Sequence, residues 1–165
     1  MFYLKIRDCN DFLFDFALKF DKTEKTDHYN LNLGGVNKLE GILERIQWGF
    51  YKGFYEKASS LFLFINGGHL FINGNKRLAL SLLLGFAFIN GYWVSNVRKD
   101  VYKKWFKEHF PKYKLSRKRF KTVYRWAMYN FNRATADSRH HNCGFDDLKR
   151  KAESFLKIHL IKKVQ

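Results

Sequence analysis

The sequence predicts a mostly helical, all-α fold in a single domain spanning residues 1–165, and three observations carry that expectation. The one proline, Pro111, and only 11 glycines leave too few turn signals for a β-sandwich or barrel, which needs one roughly every 8 to 12 residues. Apolar residues recur at the spacing of a helix face in several stretches. Hydrophobic residues make up 46% of the chain and aromatics 19%. That content excludes disorder throughout and suffices to bury about two-thirds of the unfolded surface in one core.

The elements follow in order. Residues 1–35 form an N-terminal segment of uncertain structure. DFLFDFALKFD reads as a short amphipathic helix behind Asp11 or, from its aromatics, as a strand, and the polar DKTEKTDHYNLNLGG reads as a loop. In NKLEGILERIQWGF, Asn37 is a candidate N-cap with Glu40 completing a capping box, and Leu39, Ile42, Leu43 and Ile46 share one face. A second helix is expected over 53–65, with Tyr55, Ala58, Leu61, Phe62 and Ile65 on one apolar side and Asn66-Gly67-Gly68 as its stop. The helix over 76–90 is apolar nearly all round and therefore buried, and Gly91 ends it as Gly67 ends its predecessor. YWV at 92–94 suits a short strand. Helices near 98–109, 116–132 and 144–161 follow, with Pro111 as a break.

Net charge is +16, and its distribution is uneven. Residues 98–165 hold 20 Lys/Arg against 6 Asp/Glu, a balance of +14, so this basic helical C-terminal part is where an anionic partner is expected. Cys9 and Cys143 lie far apart without CxxC spacing, which suits a reducing cytoplasm. The start MFYLKIRDCND, with Asp8, lacks the apolar core and cleavage site of a secretory signal. The apolar run LALSLLLGFAFI is too short to span a bilayer. A cytoplasmic protein without a membrane partner is the expectation.

The string FING occurs three times, ending at Gly67, Gly74 and Gly91. The outer copies close helices. The middle copy lies in HLFINGNKR, between a histidine and the start of the buried helix. A helix N-terminus carries about half a positive charge and unpaired N–H donors, which makes it a ready phosphate site. Lys76 and Arg77 are unfavourable against that dipole unless an anion is bound, and His69 can take a proton from a hydroxyl near neutral pH. An anion cradle, two cations and a base are the parts of phosphoryl or nucleotidyl transfer. A structural histidine and a solvated Lys-Arg pair account for the pieces separately, but not for their fixed spacing ahead of a buried helix.

HLFINGNKR, residues 69–77, resembles the signature of the Fic/Doc family, His-x-Phe-x-Asp/Glu-Gly-Asn-Gly/Lys-Arg. Lys76 in place of a second glycine, and Leu80 where the Fic branch has a second arginine, point to the Doc-like (death-on-curing) branch. GGVNKLEGILERIQ is similar to the Gly-, Leu- and Gln-bearing stretch that precedes the site in that branch, and the resemblance covers about residues 33–94. It implies a Fic/Doc-type helical bundle with the motif loop between two central helices. It implies ATP and Mg²⁺ as cofactors, His69 as catalytic base and Phe71 as the core anchor of the loop. Gly74 and Asn75 are implied to hold phosphate oxygens, and Lys76 and Arg77 to neutralise the β/γ end. Doc-like proteins pass the γ-phosphate of ATP to elongation factor Tu as toxins of toxin–antitoxin pairs, whereas Fic-branch proteins transfer AMP.

Asn73 stands where the family has the acid that holds Mg²⁺, and an amide oxygen is the weaker ligand for a hard cation. Metal held mostly by phosphates, low activity, and a nucleotide-binding relative without transfer all follow as alternatives. No Ser/Thr-x-x-x-Glu-Gly/Asn inhibitory string is present, so restraint is expected from a separate, acidic antitoxin protein. The segment KDVYKKWFKEHFPKYKLSRKRFKTVYRW interleaves cations with rings, the ingredients of a nucleic-acid surface. Its aromatics, Trp105, Phe106, Phe110, Phe120, Val123, Tyr124 and Trp126 among them, also fall at core spacings. His140, His141, Cys143 and His159 match no common zinc spacing, and Asp146 and Asp147 suit the start of the last helix.

Overall fold

The computed structural model describes residues 1–19 and 27–163, with Ser138 by its backbone alone. The chain is mostly helical, as expected, with one two-stranded ribbon. The N-terminal segment is helical: α1 (Ile6–Asp8), a π turn (Cys9–Leu13) and α2 (Phe14–Lys19). The aromatics that allow a strand there serve a helix face instead, with Phe14 and Ala17 buried. Of the loop expected over 21–35, residues 21–26 lie outside the described residues. The remainder is largely helical, with a 3₁₀ turn at Tyr29–Leu31 and α3 from Leu33 to Gln47.

That start corrects the expected cap at Asn37. Asn32 is the N-cap, its Oδ1 accepting from the Gly35 N–H at 2.8 Å. Gly34 and Gly35 weaken the first turn intrinsically, but Gly35 has a packing reason to be there. A Cβ on it would stand 2.6 Å from the Phe71 ring and 2.8 Å from the Leu70 carbonyl oxygen. Only glycine lets α3 approach the motif loop this closely.

The centre of the molecule is the pair α4 (Gly53–Gly67) and α5 (Asn75–Ile89), packed along each other and joined by the motif loop. α2 rests on α5, where the Ser81 hydroxyl donates to the Leu13 carbonyl at 2.8 Å. α3, α7 (Val123–Ala136) and α9 (Phe145–His159) pack on α4. Phe62, Phe131 and Phe155 stack in a column with centroids 4.9 and 4.0 Å apart, and Trp105 of α6 (Lys99–His109) closes on Phe155 edge-on at 5.0 Å. Trp105, Phe106, Phe110 and Trp126 are buried, so in these aromatics the core reading of the C-terminal part holds. The buried apolar cluster runs from Leu4 to Leu160.

Three further boundaries differ from expectation. α7 begins at Val123 rather than near 116, because Ser116 is held away from helical geometry. Its N–H donates to Asn130 Oδ1 at 2.7 Å and its carbonyl accepts from Trp126 Nε1 at 3.1 Å. Thr122 then caps α7, accepting from the Arg125 N–H at 3.5 Å. A short α8 (Ser138–His141) follows. α9 stops at His159, and Leu160–Lys162 forms β2, paired antiparallel with β1 (Tyr92–Val94) with Val94 opposite Leu160. The glycine stops also differ from one another: Gly91 is left-handed at φ 74, whereas after α4 Gly68 keeps φ −82 and the left-handed residue is His69, at φ 46.

Two buried polar groups tie elements together. Lys57 of α4 donates to the Ile46 and Trp48 carbonyls, at 2.5 and 3.1 Å. It thereby places its charge at the negative C-terminal end of α3. His159 is fully buried with Nδ1 at 2.7 Å from the Tyr102 hydroxyl, and burial lowers its pKa to about 4. Among the described residues no helix is long and apolar enough to cross a membrane.

Candidate active site: the motif loop between the central helices

The loop between α4 and α5 is built around one buried ring. Phe71 is 5% exposed and lies edge-on to Tyr29 at 5.0 Å and to Phe14 at 6.3 Å, with Gly35 beneath it. Three parts of the chain that are distant in sequence thus grip one side chain, which matches the anchoring role the resemblance implies for Phe71. The two residues after it point the other way: Ile72 is 90% exposed and Asn73 is exposed.

Asn75 closes the loop. Its Oδ1 accepts from the Phe71 N–H at 2.9 Å and its Nδ2 donates to the Phe71 carbonyl at 2.6 Å. The amide expected to hold phosphate is therefore engaged in holding the loop backbone. Gly74, the N-cap of α5, is left-handed at φ 84, a conformation glycine adopts without steric cost. Its carbonyl accepts from the Leu78 N–H and from the Tyr29 hydroxyl, both at 2.9 Å. Burial raises the Tyr29 pKa to about 12, against a smaller lowering by the charge of Arg77. The phenol keeps its proton and donates it to the loop.

With a glycine as cap, no side chain closes the N-terminus of α5. The first-turn N–H groups of the helix have no intrahelical partner, so backbone donors and the positive end of the dipole are left for an anion. Lys76 is exposed beside them, while Arg77 is 8% exposed and engaged within the protein. The two cations therefore differ: Lys76 is available to solvent, and Arg77 is buried, its charge felt by Tyr29.

His69 is exposed, and its imidazole makes no hydrogen bond to a described residue. Its left-handed backbone is a conformation that costs a non-glycine residue on the order of 1 kcal/mol or more. Two residues later the chain is stapled at Phe71 by Asn75, so the histidine and the helix start are held on one short closed loop.

The mouth of the loop is fixed by a residue that sequence reasoning missed. Asn132 of α7 donates to the Lys76 carbonyl at 2.7 Å, and its own carbonyl accepts from Asn66 Nδ2 at 3.0 Å. Asn66 Nδ2 also donates to Thr135 Oγ1 at 2.9 Å. Asn66 precedes the loop and Lys76 follows it. No local pattern signals Asn132. Tyr29 was more legible, as the one aromatic in a polar stretch.

Asn73 by itself does not make a metal site. It supplies one neutral amide oxygen, and among the described residues no group of three His, Cys, Asp or Glu gathers to hold an ion. A Mg²⁺ ion there depends on oxygens brought by a phosphate ligand. Two surface concavities, of about 230 and 380 Å³, are lined by residues 103–115 and by residues 4–7 with 40–47. Neither includes a motif residue. Comparison with protein-family models, with curated proteins and with solved structures finds no match for the chain.

Proposed function

We propose that the motif loop is a phosphate-transfer site and that the protein acts as a Doc-like toxin, passing the γ-phosphate of ATP to a hydroxyl of a target protein. The observation that carries this reading is His69. It is exposed, makes no hydrogen bond to a described residue, and is held at φ 46 on a loop that leads into an uncapped helix N-terminus. Strained backbone clusters at working sites, and glycine would hold this position at no cost.

In the proposed reaction the α5 N–H groups and Lys76 hold phosphate oxygens and offset their charge. His69 takes the proton of the target hydroxyl as its oxygen bonds to the γ-phosphorus. The bond from that phosphorus to the bridging oxygen breaks, and ADP leaves with the electron pair. Gly74 lets the helix start come close to the anion. Asn75 and Phe71 keep the geometry fixed and are positioning residues. An acidic antitoxin and elongation factor Tu are the partners that the resemblance suggests.

The deciding experiment supplies the purified protein and a bacterial translation extract with Mg²⁺ and ATP labelled at the γ- or at the α-phosphate. Label passing to protein from γ alone, and lost in His69→Ala, is the expected result. Transfer from α would move the protein to the AMP-transferring chemistry. Equal transfer by the parent and His69→Ala would overturn the assignment of the base.

A further inference from the structure

Between residues 109 and 136 the chain carries eight Lys/Arg and no Asp or Glu. All eight side chains are exposed, and none forms an ion pair with a described residue. Outside this segment some surface charges are matched, as in Arg98 with Asp100, Arg139 with Asp137 and Lys149 with Glu56. Unmatched like charges repel one another, and a bound polyanion relieves that repulsion.

The backbone beneath these charges is fixed. The irregular strap from 110 to 122 lies on α7, where Asn130 Oδ1 accepts from the Ser116 N–H at 2.7 Å and the Tyr113 hydroxyl at 3.1 Å. On that support sits a partly exposed pair of rings, Phe120 and Tyr129, with centroids 5.0 Å apart. Cations flank the pair: Lys118 Nζ and the Arg133 guanidinium each lie 5.6 Å from the Tyr129 centroid, and Arg133 also donates to the Tyr129 hydroxyl at 2.9 Å. Rings with cations on a basic strap match the chemistry of a single nucleic-acid strand, whose phosphates meet the charges while an unstacked base meets the ring. A duplex keeps its bases stacked away and has no use for the platform.

At about 100° per residue, Tyr129 and Arg133 occupy the arc of α7 between Asn130, which holds the strap, and Asn132, which holds the start of α5. We propose that this surface binds single-stranded nucleic acid, with phosphates on the strap cations and a base stacked at Phe120 and Tyr129, on the side of α7 that borders the motif loop. This inference is independent of the transfer reading, since it uses neither His69 nor the helix start.

The test is fluorescence anisotropy of the full chain with a labelled oligouridine about 20 nucleotides long, beside oligothymidine and a duplex of equal length. The single strands are expected to bind more tightly than the duplex, with affinity falling steeply between about 50 and 200 mM salt. Tyr129→Ala weakens binding about tenfold with the salt slope unchanged, while Tyr129→Phe, which keeps the ring, binds like the parent. The exposed pair Arg117→Glu and Arg119→Glu weakens binding and flattens the salt slope, without depending on the packing of Tyr129. A duplex that binds as tightly as the single strand overturns the proposal, as does Tyr129→Ala binding unchanged. Polyglutamate that competes as well as the oligonucleotide also overturns it and reassigns the surface to an acidic protein.

Discussion

Two irregular segments of this protein are each pinned by one asparagine, and the two pins work differently. Asn75 stands at a helix start and grips the backbone four residues before it, using both ends of its amide on Phe71. Asn130 stands within α7 and grips a strap that lies 14 to 17 residues earlier in the chain, its Oδ1 taking the Ser116 N–H and the Tyr113 hydroxyl while Nδ2 returns to the Trp126 carbonyl. The first pin shapes a short loop and is partly exposed. The second is fully buried and decides where a helix begins. A local pin sets the geometry of a site, and a remote pin sets the path of the chain.

The largest expected effect comes from the remote pin. Asn130→Leu leaves the partly buried donors of Ser116 and Tyr113 facing an apolar side chain at a fully buried position. At about 2 kcal/mol per orphaned donor, stability falls by roughly 4 kcal/mol. Trypsin should then cut first between Lys112 and Lys121, ahead of any other Lys/Arg-rich segment. A variant that melts earlier but shows the parental cleavage order would mean that the strap is held by something other than Asn130.

Acid should act on the core beside the two-stranded ribbon, where His159 is buried. The unfolded chain protonates His159 near its ordinary 6.5, whereas the folded protein, with the ring buried, does so only near 4. The unfolded state thus binds the extra proton across that window, and stability falls as pH drops from about 6.5 to 4, by about 3 kcal/mol in all. Melting curves of the parent and of His159→Gln check this. Matching slopes for the two proteins would remove His159 as the cause.

The smallest loss of stability is expected at the local pin. Asn75→Ala frees one N–H and one carbonyl of Phe71 beside a partly exposed position, at about 1 kcal/mol. Yet the proposed phosphate transfer should disappear, because the Phe71 staple is gone. If Asn75→Ala instead unfolds the protein as readily as Asn130→Leu, the two pins are equivalent and the contrast fails.

The same contrast explains what could be read from the sequence. The helical class, the central pair α4 and α5 and the strand at Tyr92–Val94 follow from periodicity and local strings, whereas the anchoring of Phe71 was only what the resemblance implied. The start of α7 was misplaced because helical spacing continues through Phe120 and Val123, while the bond from Ser116 to Asn130 that ends the helix early has no local signature. The start of α3 was misplaced because Gly34-Gly35 reads as a loop unless Phe71 is known to lie against it. At the site, the string from His69 to Arg77 was legible as a unit. The inward engagement of Arg77 and the loop-holding use of the Asn75 amide depend on tertiary neighbours.

Asn132 ties the residue before the motif loop to the residue after it. A loop whose two ends are clamped to one side of a helix has little freedom left to lose when a ligand arrives. The proposed nucleotide would therefore meet a preformed loop, and its association rate would be set by diffusion and charge rather than by waiting for a gate to swing. Such a receptor recognises its ligand by shape already present, and gives a restraining partner little to do except cover it.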